Sequence, residues 1–514
     1  MRELTMKLLL IVPCKNKKER EFFDFRFVAK FIGMKRGFWG IPLAVPTVAA
    51  ITPSDVEVEI VDENIEEIDF NKPCDLIGIT VMSLQAIRAY QIADEFRRRK
   101  RPVVLGGVHA SMLPQEALEH ADSVFVGEAE GRWYKVIEDF KRGELKKIYT
   151  PDPDEGRPHL GASPGPRRDL QKNHYYVANM LQTSRGCPFD CDFCSVQDFL
   201  GSKMRYKAPA QVEDEIHDIY RYAVHDNYMK QLFITDDNLV GNRKRIMEML
   251  RDALIPMNQK FDISGWTCQC SVNVAKDLEL LAMMKDAGCQ HIFIGFESLS
   301  ADSLKTLSKA INNVDQYSEA ISSIRSFGID VIGSFILGND CDDTSSFSRL
   351  ADFIHDNALL DNLINILVPF PGTKLFERMK AEGRILHYDW SKYDLGHVVF
   401  KPKRMSVREL EEGYIWVHQE VYALKNLYPK LRYRIWKPGK NRMSTSLKLK
   451  FTARLMSLLS PTDWDRNRFI FRVIPDVFNS NLDMQLSNIV NCMDHQDFAR
   501  KLEARRKSLH LLTS

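Results

Sequence analysis

The sequence predicts an α/β chain in which two parallel sheets follow one another and a mostly helical region comes last. Three observations carry that prediction. Short apolar runs alternate with helical patterns up to about residue 150, the alternation resumes from 176 to about 380, and it stops beyond 380. At 514 residues the chain is also too long for one core, and a prior of roughly 150 residues per domain sets two to four units.

The first region supplies KLLLIV (7–12), VEVEIVD (56–62), DLIGITV (75–81), PVVLGG (102–107) and SVFVG (123–127) as strands, with helical stretches such as 84–99 between them. Near-continuous apolar runs of this length belong to strands covered on both faces, which is the pattern of a doubly wound parallel sheet. Ligands of such sheets sit beyond the carboxyl ends of the strands. Those ends carry Asp62, Glu63, Asn64, Thr80, Gly106, Gly107, Gly127 and Glu128. The adjacent glycines suit either close backbone approach by a ligand or a tight turn into a helix.

Residues 150–168 hold five prolines and three glycines in nineteen positions and read as a linker. The second region then predicts strands near 178–183, 231–235, 262–271, 290–296, 329–337 and 363–368. Between the first two lies PAQVEDEIHDIYRYAV, where Pro209 suits a first helical turn and Val212, Ile216, Ile219 and Ala223 share a face. Six βα units in a row predict an open or complete βα barrel, whose chemistry belongs at the carboxyl ends of the strands. There the sequence places a cysteine cluster, then Asp236, Asp237 and Asn238, then Ser271 and Asn273, then Glu297, Gly338 and Asn339, and Pro369, Phe370 and Pro371. The boundaries expected are 1–149, a linker 150–175, 176–380 and a helical region 381–514.

Composition narrows the function classes. Lys and Arg total 71 against 69 Asp and Glu, and 44% of residues are hydrophobic, so disorder, collagen and a nucleic-acid-type charge excess are excluded. No apolar run approaches the roughly 18 residues of a membrane span, and MRELTMKLLLIVPCKNKKER lacks the profile of a secretory signal. A cytoplasmic location with reduced cysteines is expected.

Of ten cysteines, seven are scattered and three, Cys187, Cys191 and Cys194, fall within eight residues. Structural zinc sites present paired hooks, and no second hook exists here. Three thiolates without a plausible fourth suggest a 4Fe-4S cluster with one iron left open for a cosubstrate.

Cys187-Pro-Phe-Asp-Cys191-Asp-Phe-Cys194 resembles the signature of the radical S-adenosylmethionine superfamily, with Phe193 in its aromatic position. The resemblance covers about 176–380 and implies a partial βα barrel. It further implies that Cys187, Cys191 and Cys194 hold the cluster, whose open iron chelates the methionine moiety, and that one-electron reduction yields a 5′-deoxyadenosyl radical. By the same resemblance Asp236, Asp237 and Asn238 are candidates for the methionine amino group. Ser271, Asn273 and Glu297 are candidates for ribose and amino-acid contacts, and Gly338 for the strand along the adenosine.

The first region resembles the Rossmann-like cobalamin-binding domain of one large subfamily, on the motifs GGVHAS (106–111) and VGEAEG (126–131). It implies cobalamin contacts from Thr80, Ser83, Gly106, Gly107, His109, Gly127 and Glu128. The Asp-x-His-x-x-Gly motif is absent, so a base-off corrin without a histidine from that motif is implied. The segment from MSVRELEEGYIWVHQEVY onward is similar to hopanoid 2-methylase-like proteins.

Together these resemblances imply a cobalamin-dependent radical S-adenosylmethionine methyltransferase acting on an unactivated carbon of a small-molecule or lipid substrate. An external one-electron reductant such as flavodoxin or ferredoxin would serve it, with no nucleic acid as partner. Alternatives are ring formation or carbon–carbon coupling on the same machinery, and a non-catalytic cobalamin or redox sensor. A last expectation concerns residues 425–460, which hold ten Lys or Arg and no acid. They read either as an interfacial helix making peripheral membrane contact or as a basic helix packed on the barrel.

Overall fold

The computed structural model describes residues 6–15 and 40–423 apart from 153, 177, 224–230 and 262–264, and beyond these only positions 426, 470 and 504. The basic segment 427–460 and most of the helical region expected from 381 to 514 lie outside the described residues.

The first sheet is built from β1 (Met6–Val12), β2 (Val56–Asp62), β3 (Leu76–Thr80), β4 (Val103–Gly106), β5 (Ser123–Phe125) and the short β6 (Ile148–Tyr149). All neighbours pair in parallel, in the order β2-β1-β3-β4-β5-β6. The order reverses at β1 and β3, so the crevice for a ligand opens there. Helix Ala86–Arg98 covers one face and helices Ala44–Ala50 and Trp133–Arg142 the other, burying separate apolar layers on each side.

The second sheet contains β7 (Asn179–Leu181), then, past the antiparallel hairpin β8 (Ser184–Arg185) and β9 (Arg205–Tyr206), the strands β10 (Gln231–Ile234), β11 (Gly265–Cys270), β12 (Cys289–Glu297), β13 (Asp330–Leu337) and β14 (Asn362–Ile366). Its order is β14-β13-β12-β11-β10-β7, all parallel. First and last strands do not pair, so this is a partial barrel. Helix Pro209–Ala223 forms as its apolar spacing predicts, and Val212, Ile216 and Ile219 are fully buried against the barrel.

The first unit touches both edges of the open sheet. Gly40 lies against Met180 of β7, and Met112 so close to Gly372, in the turn after β14, that an added Cβ there would come within 2.3 Å of its sulfur. Residues 385–400 strap the two units together. Trp390 donates to Glu116 at 2.8 Å, and Trp390, Tyr393 and Val399 complete the apolar layer over helix Ala86–Arg98. The expected linker is well packed where Arg168, buried, donates to the Met180 carbonyl at 2.7 Å. Beyond 380 the helix Val407–Val421 starts with a capping box of Ser406 and Glu409 and ends with Tyr422 hydrogen-bonded to the Asn362 backbone.

Candidate active site

The cysteine loop hangs between the hairpin strands β8 and β9. Cys187 N donates to Gly201 O at 3.3 Å and Cys194 N to Cys191 O at 3.1 Å. Asp192 anchors the middle: its N–H reaches Leu307 O, and its carboxylate accepts from Ser308 Oγ at 2.7 Å and Arg378 Nη1 at 2.6 Å. Cys191 is buried, and Cys187 and Cys194 are half-buried. Burial raises all three thiols, Cys194 to about 12. Such thiols remain neutral near pH 7 unless a positive centre draws off their protons, which iron does on binding. No three His, Cys, Asp or Glu side chains among the described residues converge on one ion. A cubane requires no such convergence, because each thiolate binds a different iron, and the donor set fits it.

The candidates at the barrel mouth divide into two groups. Asp236 is fully buried and already saturated, accepting from Thr183 N (2.7 Å), Thr183 Oγ1 (2.6 Å) and Ser184 Oγ (2.6 Å). It ties β10 to the base of the cysteine hairpin, so its expected contact to a methionine amino group has no acceptor left. Its neighbour Asp237 accepts from Gly186 N at 3.1 Å, and burial pushes it up to about 6. Asn238 bonds Ser271 through both backbone and hydroxyl, and its amide also interacts with the Cys187 thiol. Ser271 donates to Asn273 at 2.6 Å. At Gly338, with φ +92°, an added Cβ would lie 2.6 Å from Leu410 and 3.2 Å from Phe400, so the C-terminal packing fills the space it leaves.

Glu297 ends β12 at φ +62°, an uncommon conformation for a non-glycine residue. Asn312 donates to the Gly295 and Phe296 carbonyls, and the Tyr317 hydroxyl donates to Phe296 O, which holds that end in place. The Glu297 carboxylate pairs with Lys309 at 2.9 Å, and Lys309 also stands 5.9 Å above the Phe193 ring. Burial disfavours the ammonium, yet Glu297 and the nearby cysteines outweigh it and raise its pKa. Sequence reading missed Lys309 and Asn312. Nothing in their spacing marks them, because they reach the site only when the loop after the helix Ala301–Thr306 folds back over β12.

A cavity of about 500 Å³ opens where the two units meet. Its first wall is the carboxyl edge of the N-terminal sheet, with Thr80, Gly106, Gly107, Gly127 and Glu128; its second is the barrel entrance, with Gln182, Arg185, Phe199, Leu200, Phe233 and Thr235. Leu10, Val45, Val104, Phe125 and Trp133 make it largely apolar. Gly107 (φ +93°) could bear no side chain, since a Cβ would meet the Val81 backbone at 2.8 Å. A bare glycine edge and an apolar recess with no histidine among its described lining residues fit a large flat macrocycle. Ser83 and His109 do not line the cavity. His109 is buried between Ser83 Oγ (3.1 Å), Glu116 (3.3 Å) and the Trp390 ring, so tertiary packing engages both ring nitrogens.

Residues 181–354 match the radical SAM superfamily, residues 29–136 a B12 binding domain, and residues 373–500 a domain of unknown function. The chain is 30% identical over 402 residues to the bacteriochlorophyllide d C-8(2)-methyltransferase of Chlorobaculum tepidum, covering 76% of this chain and 87% of that one. It is 28% identical to the hopanoid C-2 methylase of Rhodopseudomonas palustris, over 68% and 66% of the two chains. Its fold is similar to the cobalamin-dependent S-adenosylmethionine radical enzyme OxsB, solved with aqua-cobalamin and S-adenosylmethionine bound. The TM-score is 0.63 at 16% identity, over 98% of this chain and 80% of that one. Fold and site thus define a radical S-adenosylmethionine enzyme. Within that class the chain belongs to the cobalamin-dependent family, whose cofactors are a 4Fe-4S cluster, S-adenosylmethionine and cobalamin. Enzymes of the superfamily draw their electron from an external reductant. No helix among the described residues is long and apolar enough to cross a membrane.

Proposed function

We propose that this enzyme transfers a methyl group to an unactivated carbon of a small, apolar, polycyclic molecule. The observation that carries the reading is the shared cavity, whose walls come from the glycine edge of one sheet and the strand ends of the other. A methyl carrier seated there lies beside the entrance to the barrel that generates the radical. The substrate class rests on the relatives, two of which are named for a bacteriochlorophyllide and a hopanoid.

In this reading residues 1–149 form the cobalamin unit, 176–380 the barrel, and 381–514 a C-terminal, mostly helical domain. When bound, the cluster supplies an electron to cleave a sulfonium bond and cobalamin carries the methyl group. Cys187, Cys191 and Cys194 hold the cluster. Lys309 offers a cation, and Asp237 a carboxylate, for the two charged ends of the methionine moiety, while Asn238, Ser271, Asn273 and Glu297 order the surrounding polar shell. Phe193 packs beneath Lys309. Thr80, Gly106, Gly107 and Gly127 give the corrin its backbone surface, and flavodoxin or ferredoxin is the electron donor.

Anaerobically reconstituted protein, supplied with S-adenosylmethionine, reductant and candidate tetrapyrroles or triterpenoids, tests the reading by product analysis. 5′-Deoxyadenosine and S-adenosylhomocysteine should appear together with a methylated product. Deoxyadenosine with a cyclised or coupled product and no gain of methyl would replace methylation with another radical reaction.

A further inference from the structure

The cavity wall contributed by the barrel includes both flanks of the cysteine loop. Arg185 precedes Cys187 by two residues, and Phe199 and Leu200 end the short helix that follows Cys194. Both flanks are tied to one carboxylate of the first unit. Glu128, with 4% of its side chain exposed, accepts from Arg185 Nη1 at 3.0 Å and Arg205 Nη1 at 2.9 Å on one oxygen, and its other oxygen, without a hydrogen bond among the described residues, forms an ion pair with Arg205 Nη2 at 2.9 Å. Arg205 also donates to Leu200 O at 3.0 Å, and Arg157, 3.7 Å from Glu128, donates to Asp198 O at 3.1 Å. Glu130 adds a second carboxylate 2.7 Å from Arg185.

We infer that Glu128 is a positioning residue: its carboxylate sets the cysteine loop against the cobalamin domain, and it is not itself a cofactor ligand. The bonding pattern favours this direction, because one oxygen accepts from both guanidinium groups that grip the loop before and after the triad, while the other is buried in an ion pair with Arg205. Paired arginines on one buried carboxylate fix an angle as well as a distance. Two cofactors that must exchange a group across one cavity need such a reference point, and the glycine edge, having no side chains, cannot provide it.

The inference rests on the cavity holding cobalamin, so its test separates the two ideas. Glu128→Gln and Arg205→Met are made in the full chain, the second at a residue outside the cavity lining. Amide exchange over residues 184–206 is measured with the cluster reconstituted and no cobalamin added. Hydroxocobalamin is then added, and the magnetic coupling between the reduced cluster and cob(II)alamin is recorded. Both variants should retain iron and bind cobalamin stoichiometrically, while exchange over 184–206 rises by at least about tenfold and the coupling loses its single well-defined value. Glu128→Asp should restore part of each. Unchanged exchange and coupling in both variants would overturn the clamp. So would loss of cobalamin from Glu128→Gln alone with exchange unchanged, since that is the behaviour of a corrin ligand. A wild type that takes up no cobalamin would sink the cavity reading, and the exchange result would then judge the clamp by itself.

Discussion

The two sheets have the same strand number and the same parallel pairing, yet their carboxyl edges are finished in opposite ways. The first ends in Thr80, Gly106, Gly107 and Gly127 around an open recess. The second ends in buried polar groups already matched to one another: Asp236 with Thr183 and Ser184, Asn238 with Ser271, Glu297 with Lys309. The difference follows ligand size and charge. A broad macrocycle needs close backbone approach over a wide area, whereas a small zwitterion and an iron cluster need a few charges held still before they arrive. Positive φ occurs at both edges, at Gly107, where a side chain would meet the Val81 backbone, and at Glu297, whose carboxylate pairs with Lys309.

Breaking the polar edge should have the largest effects. Cys191→Ala, like alanine at Cys187 or Cys194, should abolish cluster assembly and reductive cleavage of S-adenosylmethionine, read by iron content and deoxyadenosine yield. Next comes Asp236→Ala, which strands three buried donors and should cost about 3–5 kcal/mol of stability in urea unfolding. Asp237→Asn should leave stability nearly unchanged and weaken binding of S-adenosylmethionine instead. Equal unfolding midpoints for the two variants would erase the distinction drawn between these neighbours.

On the bare edge the expected effects are steric. Gly107→Ala forces a Cβ against the Val81 backbone at positive φ and should cost about 1–3 kcal/mol, with cobalamin binding reduced in absorption titrations. The strap between the sheets adds a pH signature. Burial opposes ionisation of Asp394, but His397 and Lys15 prevail and hold its carboxyl at about 2. An acid depressed in the folded state stabilises fully above its unfolded value near 4, and that stability drains away as pH falls through about 2. The loss should be on the order of 2 kcal/mol, visible as a steeper acid limb that Asp394→Asn flattens. Smallest is Lys309→Met, for which S-adenosylmethionine affinity, measured by equilibrium dialysis, should drop about tenfold as one charge-assisted contact is lost.

What the sequence determined by itself was whatever is local or periodic. Eleven predicted strands were legible because strands buried on both faces must be nearly continuous in apolar residues. The cysteine spacing announced a cluster because three thiolates within one loop, with no fourth nearby, suit a single cubane. The two-residue edge strand β6 carried too few residues to register a pattern. Tertiary structure alone decided which polar residues remain available to a ligand. Asp236 and Asp237 are adjacent and chemically identical in sequence, and only the approach of Thr183 and Ser184 consumes one of them. His109 and Glu128 both stood at promising strand ends, but Trp390 covers the first and Arg185 and Arg205 occupy the second. Lys309 joined the site for the converse reason. Each of these partners is distant in the chain, and the energy of a buried charge depends on what folding brings beside it.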